Sequence, residues 1–248
     1  MCHSSARGDS LATHPKRALL AAAAAVVALL LALSPRPAAA QKPAPWTLDA
    51  VLKQLDAEAK TFRALTTQLE RTKVTVVVND RSVESGTLAV RKDDKMRIDL
   101  TNPDPKTILR DGDRLYVFHP RIKRVEEYDL GKHRALLEQF LLLGFGTSGG
   151  DLKKGYLVTL QGEVALDRKR TILLELTPKS EKVRNNIAKI HIWIDPGTWL
   201  PVQQKFFETG SQDYFEIKYT NLVRNPKLPD SQFRARWPKD VTRIKPSV

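Results

Sequence analysis

The stretch from Gly86 to Leu130 constrains the fold most, because turn sequences separate short runs of alternating apolar and polar residues there. From Met96 to Leu100 every second residue is apolar, which is the pattern of a strand with one buried face. We predict five short strands in an antiparallel meander, whose apolar face other parts of the chain must cover. The predicted turns are Lys92-Asp93-Asp94, Asn102-Pro103-Asp104-Pro105, Asp111-Gly112-Asp113 and His119-Pro120.

An amphipathic helix is predicted before this meander. Thr47 is suited to cap its first turn, and apolar residues recur at spacings of three and four from Leu48 to Leu65. This pattern predicts a helix of about six turns whose apolar stripe packs on the sheet. The β-branched run from Thr72 to Asn79 predicts the first strand, and the turn after it is expected at 79–82.

The second half of the chain returns to two-residue alternation, clearest at Ile172-Leu174-Leu176 and Ile190-Ile192-Ile194. No internal repeat and no domain boundary are visible, so residues 41–248 are expected to form a single domain with about eleven strands. The strands predicted here are 155–161, 170–177, 187–195, 200–208 and 213–224, followed by a short one within 233–244.

A short segment from Ala135 to Leu143 is apolar on nearly all sides and carries one charge. Gly144, Gly146 and the run 147–150 then break it. A helix of this kind is either fully buried or faces another apolar surface. The sequence leaves two interpretations open, a movable lid flanked by flexible glycines and a static core helix.

The N-terminus predicts an export signal. Lys16-Arg17 precedes an apolar run from Ala18 to Leu33, and prolines and Ala38-Ala39-Ala40 follow. A basic region, a short apolar region and small residues at the end make a secretory signal peptide, with cleavage expected between Ala40 and Gln41. A membrane anchor is the alternative, although the run is short for a span of about 20 residues.

Cysteine content and charge limit the possible chemistry. Cys2 is the only cysteine and would leave with residues 1–40, so disulfides and zinc–thiolate sites are not expected in the mature protein. Removal of that segment would change the net charge from +13 to +10. In an exported protein the anionic partners would be a membrane surface, a lipid headgroup or an acidic protein patch rather than nucleic acid; a merely solubilising role for the lysines is equally open.

A search for catalytic and metal-binding motifs finds none. His119 and His191 stand at no metal-ligand spacing, and there is no nucleophile elbow and no phosphate-binding loop. The adjacent pairs Asp93-Asp94 and Glu126-Glu127 point to opposite faces of a strand, which makes them poor acid–base pairs. An apolar cavity under a movable cover would instead suit a lipid or an acyl chain, at about 0.8 kcal/mol per buried CH₂.

Six short motifs follow one another along the chain: FRALTTQL at 62–69, GTLAV at 86–90, MRI at 96–98, DGDRLYVFHP at 111–120, LTPK at 176–179 and FRARWPKDV at 233–241. In sequence and in order they resemble the motifs of the periplasmic outer-membrane lipoprotein carrier family, the LolA family. Two positions depart from the family pattern. The chain has Lys92-Asp93 where the family typically has Arg-Pro, and Ile98 where the family usually has tryptophan.

This resemblance implies a mainly β fold with some α, an incomplete antiparallel β-barrel with a helical lid over a hydrophobic cavity. It implies binding of lipoprotein acyl chains, no catalysis, no cofactor and no metal. It also implies transfer from an inner-membrane transporter to an outer-membrane receptor by a monomer that meets the membrane surface transiently. Roles in holding and releasing the lid would fall to Lys92 and Arg97. The basic cluster Arg121, Lys123, Arg124, Lys132 and Arg134 is either a docking surface or a solvated face.

Three functional hypotheses follow. The first is a periplasmic carrier that moves lipoproteins from the inner to the outer membrane, and the second is a carrier or sensor of a glycolipid or phospholipid on the same scaffold. The third, an enzyme, has no motif in its favour. Where both strand faces are apolar, as from Leu115 to Phe118, the sequence does not tell which face is inward. The predicted ligand-binding residues are Met96, Ile98, Leu100, Leu115, Val117 and Trp193, with Leu137, Phe140 and Leu141 from the lid.

Overall fold

One open sheet of twelve strands organises the part of the chain that the computed structural model describes, residues 45–131 and 143–246. Its strand order is β12-β6-β5-β4-β3-β2-β1-β11-β10-β9-β8-β7, and every neighbouring pair is antiparallel except the parallel pair β12–β6. The strands are β1 Ala64–Thr75, β2 Asp80–Arg91, β3 Lys95–Asn102, β4 Lys106–Asp111, β5 Arg114–His119, β6 Arg124–Asp129, β7 Tyr156–Leu166, β8 Lys169–Pro178, β9 Ile187–Ile194, β10 Pro201–Glu208, β11 Tyr214–Arg224 and β12 Thr242–Ile244.

The predicted meander is confirmed. The five strands from the second part of β2 to β6 pair in chain order, so each turn predicted between Lys92 and Pro120 joins two neighbouring strands. The strands of the second half also lie where the alternation predicted them, within one residue at each end, except that β7 runs five residues past its predicted end at 161. A mainly β fold built on an incomplete barrel is therefore confirmed, with twelve strands rather than eleven.

The first helix is shorter than predicted. Helix α1 spans Leu48–Thr61, with the Thr47 side chain capping its start, and Phe62 already has an extended backbone. The predicted last turns belong to β1, where Leu65, Thr67 and Leu69 face the core at alternate positions. Leu65 and Leu69 are four residues apart, a spacing that fits both a helix face and a strand face, and this is why the pattern misled.

Two turns also differ from the prediction. The β1–β2 turn occupies 76–79 rather than 79–82, because Asn79 adopts a left-handed conformation with φ of 49°. The run at 147–150 does more than break a helix, since Ser148 caps helix α2 at Gly149–Gly155. A third short helix, α3, spans Glu181–Arg184.

The inner face of the sheet is the face that α1 covers. Val51, Leu52 and Leu55 of α1 pack against buried residues of β8, β9 and β10. A second apolar cluster continues this face across β1, β2 and β3 under the rings of Phe62 and Phe145. The inner face is therefore apolar over most of the width of the sheet.

The outer face of β3–β6 is covered by the C-terminal segment, residues 225–241. Phe233 is buried there against Leu109, Tyr116 and Val125. Arg91 fixes the segment through Asp230 and the Leu228 carbonyl. Across the described ranges, no helix has the length and apolar character that a membrane span requires.

Candidate functional site

A cavity of about 550 Å³ lies on the inner face, between β2 and the segment that begins at Leu143. This volume falls within the range of about 300–1,000 Å³ that is usual for ligand pockets. Its walls are mostly apolar, and charged side chains contribute at several points. The apolar residues are Phe62, Val90, Leu143, Phe145, Leu152 and Tyr156, and the charged ones are Lys92, Asp94, Asp151 and Lys154.

Two glycines shape the wall beside Leu143. Gly144 and Gly146 have φ of 84° and 69°, a backbone region that residues with a Cβ rarely adopt. A Cβ on Gly146 would stand 2.3 Å from the Phe62 ring, so this glycine lets the ring lie against the backbone. The Phe145 ring in turn meets Tyr219 edge to face, with centroids 4.9 Å apart. The predicted flexible glycines thus place two aromatic rings at the cavity.

A buried polar chain fixes Leu143 to the sheet. The Tyr219 hydroxyl donates to Gln204 Oε1 over 2.8 Å, and the Gln204 amide donates to the Leu143 carbonyl. Burial raises the pKa of Tyr219, so the phenol stays protonated and remains a donor at physiological pH. This chain lies on the same face as the apolar clusters and satisfies its polar groups internally.

The charged groups of the cavity are all engaged. Lys92 donates its ammonium to the Ala59 carbonyl over 3.1 Å, in the last turn of α1, where a cation is favoured. Asp94 lies 3.3 Å from the guanidinium of the buried Arg110. Hydrogen bonds from Lys154 and Ser148 hold the pKa of Asp151 below its ordinary value.

Five of the predicted ligand-binding residues share the inner face. Met96 and Leu100 are buried in the second cluster, and Ile98 and Leu115 pack against it half-buried. Val117 lies opposite Ile108, which lies opposite Ile98, so it belongs to the same face. The register thus settles the face that the sequence left open between Leu115 and Phe118, since Tyr116 and Phe118 pack under the C-terminal segment.

Two predicted residues lie on the outer face instead. Trp193 alternates with the buried Ile192 and Ile194 and packs against His191. Arg97 forms a bidentate pair with Asp99 and reaches the Gln232 carbonyl in the C-terminal segment. Neither shares the inner face with Met96, and in both cases the strand period places the side chain on the opposite face.

Other predicted residues fall outside the described ranges. This holds for the lid residues Leu137, Phe140 and Leu141, for Lys132 and Arg134 of the basic cluster, and for the predicted export signal. The remaining basic residues each have an acidic neighbour: Arg121 pairs with Asp104, Lys123 with Asp240 and Arg124 with Glu126.

The sequence-based interpretation missed the aromatic part of the cavity. Phe62, Phe145 and Tyr156 come from three separate segments, so no local pattern links them. Val90 could have been found, because it shares its strand face with Leu88, in register with Met96 and Ile98. Around the described residues, no cluster of three or more histidine, cysteine or carboxylate side chains is placed to hold a metal ion.

A larger cleft of about 950 Å³ opens beside Gln203 and Lys218, which lie on the outer face. Charged side chains surround it, including Asp167, Lys169 and Asp195. The smaller inner cavity suits an apolar ligand better, because a hydrocarbon chain gains most where the walls are apolar. Size alone does not decide which of the two recesses is the site.

An open β-sheet whose inner face is covered by a helix and holds an apolar cavity is the architecture of a class of proteins that bind apolar ligands. The sequence model of the family "Outer membrane lipoprotein carrier protein LolA" matches residues 58–236. The chain therefore belongs to the LolA family, whose members are periplasmic carrier proteins. The resemblance read from the six motifs is confirmed.

Individual relatives are distant. The outer-membrane lipoprotein carrier protein of Dechloromonas aromatica (strain RCB) is 24% identical over 150 residues, which cover 60% of this chain and 66% of that protein, just under two thirds of its length. An uncharacterized conserved protein from Thermus thermophilus aligns with a TM-score of 0.53 at 10% identity, covering 80% of this chain and 98% of that one. A LolA superfamily protein from Nitrosomonas europaea aligns with a TM-score of 0.41 at 15% identity, over 77% and 98%.

Proposed function

We propose that this protein is a periplasmic carrier that binds the acyl chains of lipoproteins on the inner face of its sheet and moves them from the inner to the outer membrane. The observation that carries the proposal is the cavity of about 550 Å³, whose apolar walls continue into the half-buried inner-face residues Ile98 and Leu115. An acyl chain placed there gains about 0.8 kcal/mol per buried CH₂. The relative from Dechloromonas aromatica, an outer-membrane lipoprotein carrier protein, supports this cargo.

Within this proposal the predicted roles are divided by position. Met96, Ile98, Leu100, Leu115 and Val117 lie on the inner face beside the cavity and not in its lining, and they would extend the apolar surface that contacts the chains. Lys92 would hold and release the lid from its position at the end of α1, where its ammonium donates to the Ala59 carbonyl. An inner-membrane transporter and an outer-membrane receptor would be the donor and acceptor, and the cargo would pass between them on a monomeric carrier.

Binding of a fluorescent apolar probe tests the wall. Ile98→Glu is expected to weaken probe binding at least about tenfold, because a carboxylate on the inner face must be desolvated when the ligand covers it. Ile98 suits the test because it is half-buried, whereas Met96 is fully buried and a charge there would threaten folding. The matched control is Leu173→Glu, a half-buried leucine on the outer face of β8.

Two measurements test the position of the binding site and the identity of the cargo separately. Equal probe affinities of the Ile98 and Leu173 variants would contradict a ligand site on the inner face. Native mass spectrometry of the protein purified from the periplasm then identifies the cargo. A triacylated protein supports a lipoprotein carrier, whereas a glycolipid or phospholipid without acylated protein would assign the same cavity to another lipid.

A further inference from the structure

The tip of the β1–β2 hairpin exposes an apolar run that packing does not explain. Val77 and Val78 are 88% and 69% exposed, and Val76 and Val83 are also exposed. Such turns usually hold glycine, asparagine, aspartate or proline, because those residues suit the backbone and remain hydrated. Three successive valines in one turn therefore form an apolar projection. Contacts that remove this projection from water would be favourable.

The tip projects beyond its neighbour on one side. The pairing of β2 with β3 stops at Ser85, so residues 80–84 have no strand partner on that side. Five residues of strand span about 17 Å. On the other side, pairing of β1 with β11 reaches Val74. A narrow projection of this kind buries its side chains more fully when it enters a lipid layer than when it lies on a flat protein surface.

Two backbone amides of the turn already have hydrogen-bond partners within the protein. The Val76 amide donates to Asp213 Oδ1 over 2.8 Å, and the Asn79 amide donates to the Val76 carbonyl over 3.1 Å. Asn79 takes the left-handed conformation, so the turn closes without a glycine. Amide groups that are already paired cost less to move into an apolar environment.

Basic side chains stand just behind the apolar tip. Arg81 lies opposite Val74 and forms no ion pair with any residue in the described part of the chain. Lys73 is half-exposed, with Glu208 3.6 Å away, and Asp80 is the one acidic residue between Val76 and Val83. Cations at this depth match the phosphates of a lipid headgroup layer.

We propose that the β1–β2 tip inserts its valines into the interface of a phospholipid bilayer, with Arg81 and Lys73 at the level of the lipid phosphates. The contact docks the protein on a membrane surface reversibly. It is separate from the cavity, because the tip valines do not line it.

Vesicle flotation tests this docking. The full-length mature protein is mixed with vesicles of phosphatidylethanolamine containing a minority of phosphatidylglycerol, and the bound fraction is measured. The double variant Val77→Glu/Val78→Glu is expected to reduce partitioning about tenfold or more, because two carboxylates replace two apolar groups at the interface. The matched control is Leu157→Glu, which changes a 63% exposed leucine on β7 and is expected to leave partitioning unchanged.

A gain-of-binding variant guards against a trivial loss. Val77→Trp is expected to tighten partitioning, since tryptophan favours the bilayer interface. Unchanged flotation of the double-glutamate variant would overturn the proposal. The proposal would also be overturned if the wild-type protein formed a dimer and the double-glutamate variant were a monomer, because the tip would then be a self-association surface. Apolar-probe binding is expected to be the same in all these variants, so failure of membrane docking would leave the proposed cargo untouched.

Discussion

At the scale of single residues, Gln204 is the link between the sheet and the cavity wall at Leu143. We predict that Tyr219→Phe lowers the free energy of unfolding by about 1–3 kcal/mol, because the buried Gln204 Oε1 loses its donor. Urea unfolding of the pure protein measures this change. Tyr214→Phe on the outer face is the control and is expected to stay within about 0.5 kcal/mol of wild type. Equal losses in the two variants would show that the chain of hydrogen bonds adds nothing.

The sequence predicted side-chain faces well only where one face was polar. Met96, Ile98 and Leu100 alternate with charged residues, and the structure places all three on the inner face as expected. Trp193 lies between two isoleucines, so its apolar character suggested the cavity wall, although the strand period places it on the outer face. Which ring meets which, as with Phe145 and Tyr219, depends on segments that only folding brings together.

At the scale of elements, α2 packs on α1 through a glycine. A Cβ on Gly149 would stand 2.5 Å from the Leu52 carbonyl oxygen, whereas one on Gly150 would meet only atoms at 3.7 and 4.0 Å. We predict that Gly149→Ala lowers the free energy of unfolding by about 1–3 kcal/mol, because the helices must separate. Gly150→Ala is the matched control and is expected to be neutral or to stabilise by up to about 1 kcal/mol. Thermal and urea unfolding would contradict this if the two variants behaved alike.

Turn residues predicted the ends of helices and strands more accurately than the spacing of apolar residues did. The turns at Asp111-Gly112-Asp113 and His119-Pro120 lie where the sequence predicted them, since glycine and proline act on the local backbone. The end of α1 was misplaced because Leu65 and Leu69 satisfy two periods at once, and the sheet resolves the choice by pairing β1 with both β2 and β11. Local sequence carries no record of that long-range pairing.

At the scale of the whole molecule, some carboxylates with lowered pKa values join separate strands or segments of the chain. Glu84 connects β1 and β4 through hydrogen bonds from Arg71 and Lys106. Burial alone would raise the pKa of Glu84, but these bonds outweigh it, so the pKa lies below its ordinary value. Within residues 45–131 and 143–246, the carboxylates with lowered pKa values are Glu84, Asp93, Asp151, Glu175 and Asp230.

These shifts predict an acid-sensitive fold. A carboxylate whose pKa is lower in the folded state stabilises that state above its unfolded pKa, and this contribution is lost as the pH falls through the folded pKa. The free energy of unfolding should therefore decrease as the pH falls below about 4, the ordinary range of carboxyl pKa values. Glu84→Gln should be less stable than wild type at neutral pH, and the difference should shrink as the pH falls through the lowered pKa of Glu84, because the wild-type side chain then becomes protonated as well. Urea unfolding at a series of pH values measures this convergence, with Glu163→Gln on β7 as the control. A stability difference that stayed constant with pH would mean that Glu84 acts through packing and not through its charge.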